Sequence, residues 1–138
     1  VEWEAAKANA QATTLQIVAL IPSDDIVGVD QNATGTLFSC DETRHRWHGT
    51  TVVTIAPGVE IERITKDVEG LLGALLEGRG DFAVTHDRDF FDDYMVVAES
   101  TATAESYLLG EWEANSIIID AWSECFTLPE GTYPGGKF

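Results

Sequence analysis

Residues 47–76 read WHGTTVVTIAPGVEIERITKDVEGLLGALL, and the repeat of their apolar positions changes once, at Pro57-Gly58. Before that point Trp47, Thr51, Val53 and Ile55 share one side of an extended chain while Arg46, His48, Thr50 and Thr54 share the other. This is the two-residue alternation of a half-buried strand over 47–56. After it Ile61, Ile64, Val68, Leu71, Leu72, Leu75 and Leu76 recur at spacings of three and four, the strongest helical periodicity in the chain. The helix ends near Gly78, a C-cap. It is expected to bury Ile64, Val68, Leu71, Leu72 and Leu75 on a sheet and to turn Glu62, Lys66 and Glu69 to water.

Working outward from this strand and helix, Trp3, Ala6, Ala10, Thr13, Ile17 and Ile21 lay one apolar stripe along a first helix, which Pro22 stops. The polar stretch 23–34 reads as a loop, within which Asn32-Ala33-Thr34 fits an N-glycosylation sequon. Residues 35–41 read as a strand joined by the short polar link 42–46 to the strand at 47–56, a hairpin. Past the second helix, 82–86, 94–98, 103–112 and 117–126 are four more strands with short polar links, the spacing of an antiparallel meander. The tail 128–136 is irregular. The order α-β-β-α-β-β-β-β predicts one α+β domain over 1–138, with two helices packed on one face of a mostly antiparallel sheet.

The 138 residues hold 24 Asp and Glu against 8 Lys and Arg, a net charge of -16. A field of that sign repels phosphate backbones and anionic lipid surfaces, so nucleic acid is not an expected partner. No stretch approaches the roughly 18 apolar residues of a membrane span, and no transmembrane segment is expected. Val1-Glu2-Trp3-Glu4 already begins the helical pattern and carries acids where a signal peptide has bases, so the chain reads as a mature or trimmed form.

Cys40 and Cys125 are the only cysteines, and they form neither a metal pair nor a Cys-x-x-Cys motif. Each lies near the end of a strand-like run, which favours a disulfide over two buried thiols. Closing so long a loop would stabilise the fold by roughly 4–5 kcal/mol on chain-entropy grounds. An oxidising compartment follows from that pairing.

Few constellations carry chemistry. His45 and His48 point to opposite faces of a strand and His86 is distant, so no metal site is expected from them. Asp87-Arg88-Asp89-Phe90-Phe91-Asp92-Asp93 gathers four carboxylates at one hairpin tip, but Phe91 replaces a ligand and the turn glycine of a calcium loop is missing. Two adjacent aromatics in a turn cannot both follow one strand face inward, so Phe90, Phe91, Asp89, Asp92 and Asp93 form the candidate contact surface. Arg79-Gly80-Asp81 matches the integrin-binding tripeptide, although Gly78 and Gly80 serve the turn after the second helix. There is no nucleophile elbow and no phosphate-cradling glycine loop, and no cofactor is expected. Trp3, Trp47, Trp112 and Trp122 could line a groove or pack the sheet.

With Cys40 after a first strand, Trp47-His48-Gly49 opening the second, an amphipathic helix next and Cys125-Phe126-Thr127-Leu128-Pro129 closing the last, the chain resembles small secreted lipoproteins of actinobacteria. That resemblance implies an envelope location, a Cys40–Cys125 bridge and an α+β fold, with no implied activity. A lipid-bearing N-terminal cysteine, expected of such proteins, would lie in a segment preceding the chain. The functional expectation is a non-enzymatic extracellular or cell-envelope domain that binds an envelope or extracellular partner. The alternatives are a small carboxylate-dependent hydrolase, marked by a pocketed carboxylate of strongly raised pKa beside a second carboxylate or a His, and a calcium-dependent adhesion domain.

Overall fold

The computed structural model describes residues 2–138. Helix α1 (Trp3–Val18) and helix α2 (Ile61–Leu76) accompany seven strands: β1 (Ile26–Gln31), β2 (Thr36–Ser39), β3 (His45–Ile55), β4 (Phe82–Arg88), β5 (Tyr94–Ser100), β6 (Ser106–Glu111) and β7 (Ser116–Trp122). All pair antiparallel in one sheet of order β1-β3-β7-β6-β5-β4, with β2 also on β3. The α+β architecture is the one the alternating and helical periods predict.

The core lies on one side of this sheet. Val53 pairs with Ile117, Thr51 with Ile119, Ile119 with Leu109, and Leu109 with Val96, a continuous buried row from β3 to β5. Helix α1 covers β3 and β7, and α2 covers β4, β5 and β6. The α1 contact is made by the small residues Ala6, Ala10, Thr13 and Thr14 with Ile17 and Val18, and Thr14 satisfies its hydroxyl on the Ala10 carbonyl at 2.8 Å. Trp47 is fully buried, its Nε1 donating to the Phe138 carbonyl at 2.9 Å. A Cβ on either Gly35 or Gly49 would collide with its indole. On the opposite face, Val52, Ile118, Leu108, Val97 and Met95 are half-buried among themselves with no helix over them among the described residues.

Three local expectations need correction. The polar stretch 23–34 contains β1, whose register shifts between Ile26 and Gly28. Val27 is thereby turned outward and the strand shows no clean alternation. Leu71 is 48 % exposed rather than buried, because the arc of α2 facing the sheet runs through Ile61, Ile64, Thr65, Val68, Leu72 and Leu76, with Leu75 half-buried beside it. Thr65 joins that arc by bonding the Glu62 carbonyl at 2.9 Å. Finally, β6 starts only at Ser106, after a turn in which Ala104 takes a positive φ, and β7 stops at Trp122, with Phe126 returning as a single bridge to His45.

Candidate functional site

At one end of the sheet the β4–β5 turn spans 89–93. Its conformation is explained by Asp89, whose Oδ1 accepts from the amides of Phe91 at 2.8 Å and Asp93 at 2.9 Å, while the Asp89 amide donates to the Asp93 carbonyl at 2.9 Å. Nothing in this turn requires aromatic residues. Phe90 and Phe91 are nevertheless 97 % and 80 % exposed, their rings edge to face at 5.7 Å.

Because β5 and β6 are neighbours, the β6–β7 turn lies beside this tip. There the Trp112 amide donates to the Ser116 carbonyl at 3.0 Å and Asn115 takes a positive φ, leaving Trp112 55 % exposed. Between the two turns is a cleft of about 300 Å³ lined by Asp89, Phe91, Asp93, Glu111, Trp112 and Glu113. Four carboxylates and two aromatic rings face it, with no base among them. The arginine beside the turn, Arg88, is committed elsewhere: it holds Glu62 Oε1 at 2.8 Å and the Asp92 carbonyl at 3.0 Å. Hydrogen bonds from Arg88 and Lys66 in turn hold the Glu62 carboxyl down to about 2. In the cleft the balance is reversed. Partial burial, a hydrogen bond with Asp93 and the charges of Asp93, Asp89 and Glu62 push the Glu111 carboxyl above its ordinary value.

Of the sequence candidates, Asp89, Phe91 and Asp93 line the cleft, Phe90 packs on Phe91, and Asp92 points outward near Arg88. Glu111 and Glu113 belong to the same site and were missed, and Trp112, a groove candidate among the tryptophans, joins them there. The available signal was an aromatic set between two acids at a strand end, the same pattern as Asp89-Phe90-Phe91-Asp92. Such a lining suits a guanidinium or ammonium group, which ring faces and carboxylates attract together. Among the described residues no three His, Cys, Asp or Glu side chains converge as a metal set.

The remaining candidates are placed elsewhere. Cys40 and Cys125 are bonded with Cα atoms 6.4 Å apart, at the far end of the sheet. His48 bonds Asp120 at 2.9 Å on the open face, where its ring lies 4.3 Å from Trp122. His86 is exposed, and it bonds Glu69 at 2.6 Å and stacks on Tyr94. Burial, then a hydrogen bond to Glu69, pushes the Tyr94 hydroxyl up to about 12. Arg79 bonds Gln16 at 2.5 Å, while Gly80 and Asp81 make a positive-φ turn. Asn32 donates to Thr50 Oγ1 at 2.7 Å. The four tryptophans do not share a groove: Trp47 is core, Trp122 lies on the open face with Phe38, Trp3 packs on Phe138, and Trp112 lines the cleft.

No protein-family description, no curated protein and no solved structure matches this chain. No helix is long and apolar enough to cross a membrane among the described residues.

Proposed function

We propose that the chain is a non-enzymatic binding domain of the extracellular space or cell envelope that takes a cationic partner in the cleft between the β4–β5 and β6–β7 turns. The observation that carries this reading is the pairing of exposed Phe91 and Trp112 with four carboxylates that no base neutralises. The Cys40–Cys125 bridge supports an oxidising location. Attachment through a lipid on a preceding segment, as in the actinobacterial lipoproteins the chain resembles, is the finer form of the same proposal. Isothermal titration with a tetra-arginine peptide tests the site. Binding should weaken about tenfold in Phe91→Ala and again in Trp112→Ala, equivalent to about 1.4 kcal/mol each. It should also weaken as salt rises. Binding that ignores both substitutions, or none at low salt, refutes the assignment.

One observation favours a second reading. The raised Glu111 carboxyl beside Asp93 is the arrangement of an acid and base pair in a hydrolase. Glu111 is exposed, which leaves the pair open to water. Turnover of a nitrophenyl glycoside that disappears in Glu111→Gln would replace the binding assignment with a catalytic one.

A further inference from the structure

Strand β4 ends the sheet. It pairs with β5 through seven consecutive positions, Phe82 with Ser100 to Arg88 with Tyr94, and among the described residues meets no other strand on its outer side. The bonds that continue this ladder show which main-chain groups are spoken for. Thr101 donates to the Asp81 carbonyl and Asp89 to the Asp93 carbonyl, so the odd-numbered residues face β5. Phe82, Val84, His86 and Arg88 therefore aim their main-chain groups outward. Only the Arg88 amide is covered locally, by the Asp87 carboxylate at 2.8 Å. The strand has no proline, no lysine and no bulge to protect its edge, and its fixed charges, Asp87 and Arg88, sit together at one end.

A second feature lies alongside. Next to Phe82, on the helix side of the edge, a cavity of about 520 Å³ is lined by Gly73, Ala74, Glu77 and Asp81 among others. Two small residues open it and two carboxylates charge it. We propose that two copies of this chain pair β4 with β4, antiparallel about a two-fold axis through Thr85, to form a symmetric dimer with one continuous sheet.

This register follows from the parity. Val84 and His86 of the second copy exchange both main-chain hydrogen bonds, and Phe82 donates to the carbonyl of Arg88 from the second copy. Within the strand no like charges face each other, since Asp87 falls opposite Ala83 and Thr85 opposite its own copy. Arg88 of the second copy, the only fixed cation in the strand, arrives opposite Phe82 on the side of the acidic cavity. Its guanidinium exchanges Glu62 and the Asp92 carbonyl for Glu77, Asp81 and the Phe82 ring. Asp81 and Asp89 meet across the strand ends, where Asp81 takes a positive φ at the last bond of the β5 ladder and Asp89 is bonded to its own turn. The net charge of -16 on each copy opposes association, so added salt strengthens it.

Sedimentation velocity over micromolar to millimolar protein, in low and high salt, reads the dimer directly. Val84→Pro removes an outward amide without touching the β5 ladder, and should weaken association at least about tenfold while circular dichroism stays unchanged. Cysteine scanning reads the register. Residues facing across the axis without mutual hydrogen bonds lie about 4.5 Å apart at Cα, within disulfide reach. Thr85→Cys should therefore cross-link with itself, whereas Ala83→Cys should cross-link only when mixed with Asp87→Cys. A monomer at every concentration and salt, or equal self-cross-linking by all three variants, overturns the proposal.

Discussion

Two turns at opposite ends of the sheet use the same local chemistry to different ends. In the β2–β3 turn the Asp41 carboxylate accepts from the amides of Thr43 at 3.0 Å and Arg44 at 2.8 Å, and from Arg44 Nε at 2.8 Å. In the β4–β5 turn Asp89 does the same work for Phe91 and Asp93. The first turn is neutralised by its own arginine and tied by Cys40 to Cys125. The second carries two exposed aromatic rings, further acids and no covalent tie. Asx-turn geometry accounts for one aspartate in each, so the surplus rings and charge at 89–93 serve something other than folding.

The strongest way to break the contrast is to remove the tie. Cys40→Ser with Cys125→Ser should cost about 2–5 kcal/mol in urea denaturation. A loss that small substitutions could match would mean that the two ends are equally self-sufficient. At the other end, Phe90→Ala with Phe91→Ala should leave stability within about 0.5 kcal/mol, as for unburied surface positions. If the pair instead unfolds the domain, the rings belong to the core and the contrast collapses.

Acid titration sharpens it further. Backbone amides, Thr43 first, and the Arg44 side chain hold the Asp41 carboxyl at about 2, below its ordinary 3.8. Its stabilising contribution is full above pH 3.8 and is lost as pH falls through about 2. Carboxyl NMR should show Asp41 still ionised well below pH 3.8, and Arg44→Ala should move its midpoint upward. The smallest effect is expected in the cleft. An acid with a raised folded pKa destabilises the fold when ionised, so Glu111→Gln should slightly raise the melting temperature at pH 7. That gain should vanish as pH falls below 4.5, where the unfolded carboxyl is protonated too. A lowered melting temperature at pH 7 would mean Glu111 is stabilised by an unrecognised partner.

The parts of this architecture that announce themselves in the sequence are those where one period governs a long run. Strand β3 and helix α2 are both in that class, and α1 is legible despite its small residues because they recur on a single stripe. Strand β1 was hidden because a bulge after Ile26 breaks the alternation that identifies a strand. Leu71 misled because the α2 stripe is wider than the arc that meets the sheet, and Thr65 takes a buried place that an apolar count gives to leucine. Half of the acidic cleft was legible, since Phe90 and Phe91 in a turn are anomalous on their own. The other half, Glu111 to Glu113, acquires meaning only from the β5–β6 pairing that brings two distant turns together.

The central ladder also sets how this chain must reach its native state. Residues 48–54 pair with 116–122 across the middle of the sheet, while β4 to β7 are joined by short links. The meander can therefore assemble from neighbours, but the two halves of the core close on each other only after a long stretch of chain has been organised. Contacts so distant along the chain slow folding, and they leave the unpaired sides of β3 and β7 bare until the last step. The bond from Cys40 to Cys125 joins the same two regions, so oxidation before that step would shorten the search, and oxidation after it would only lock the result.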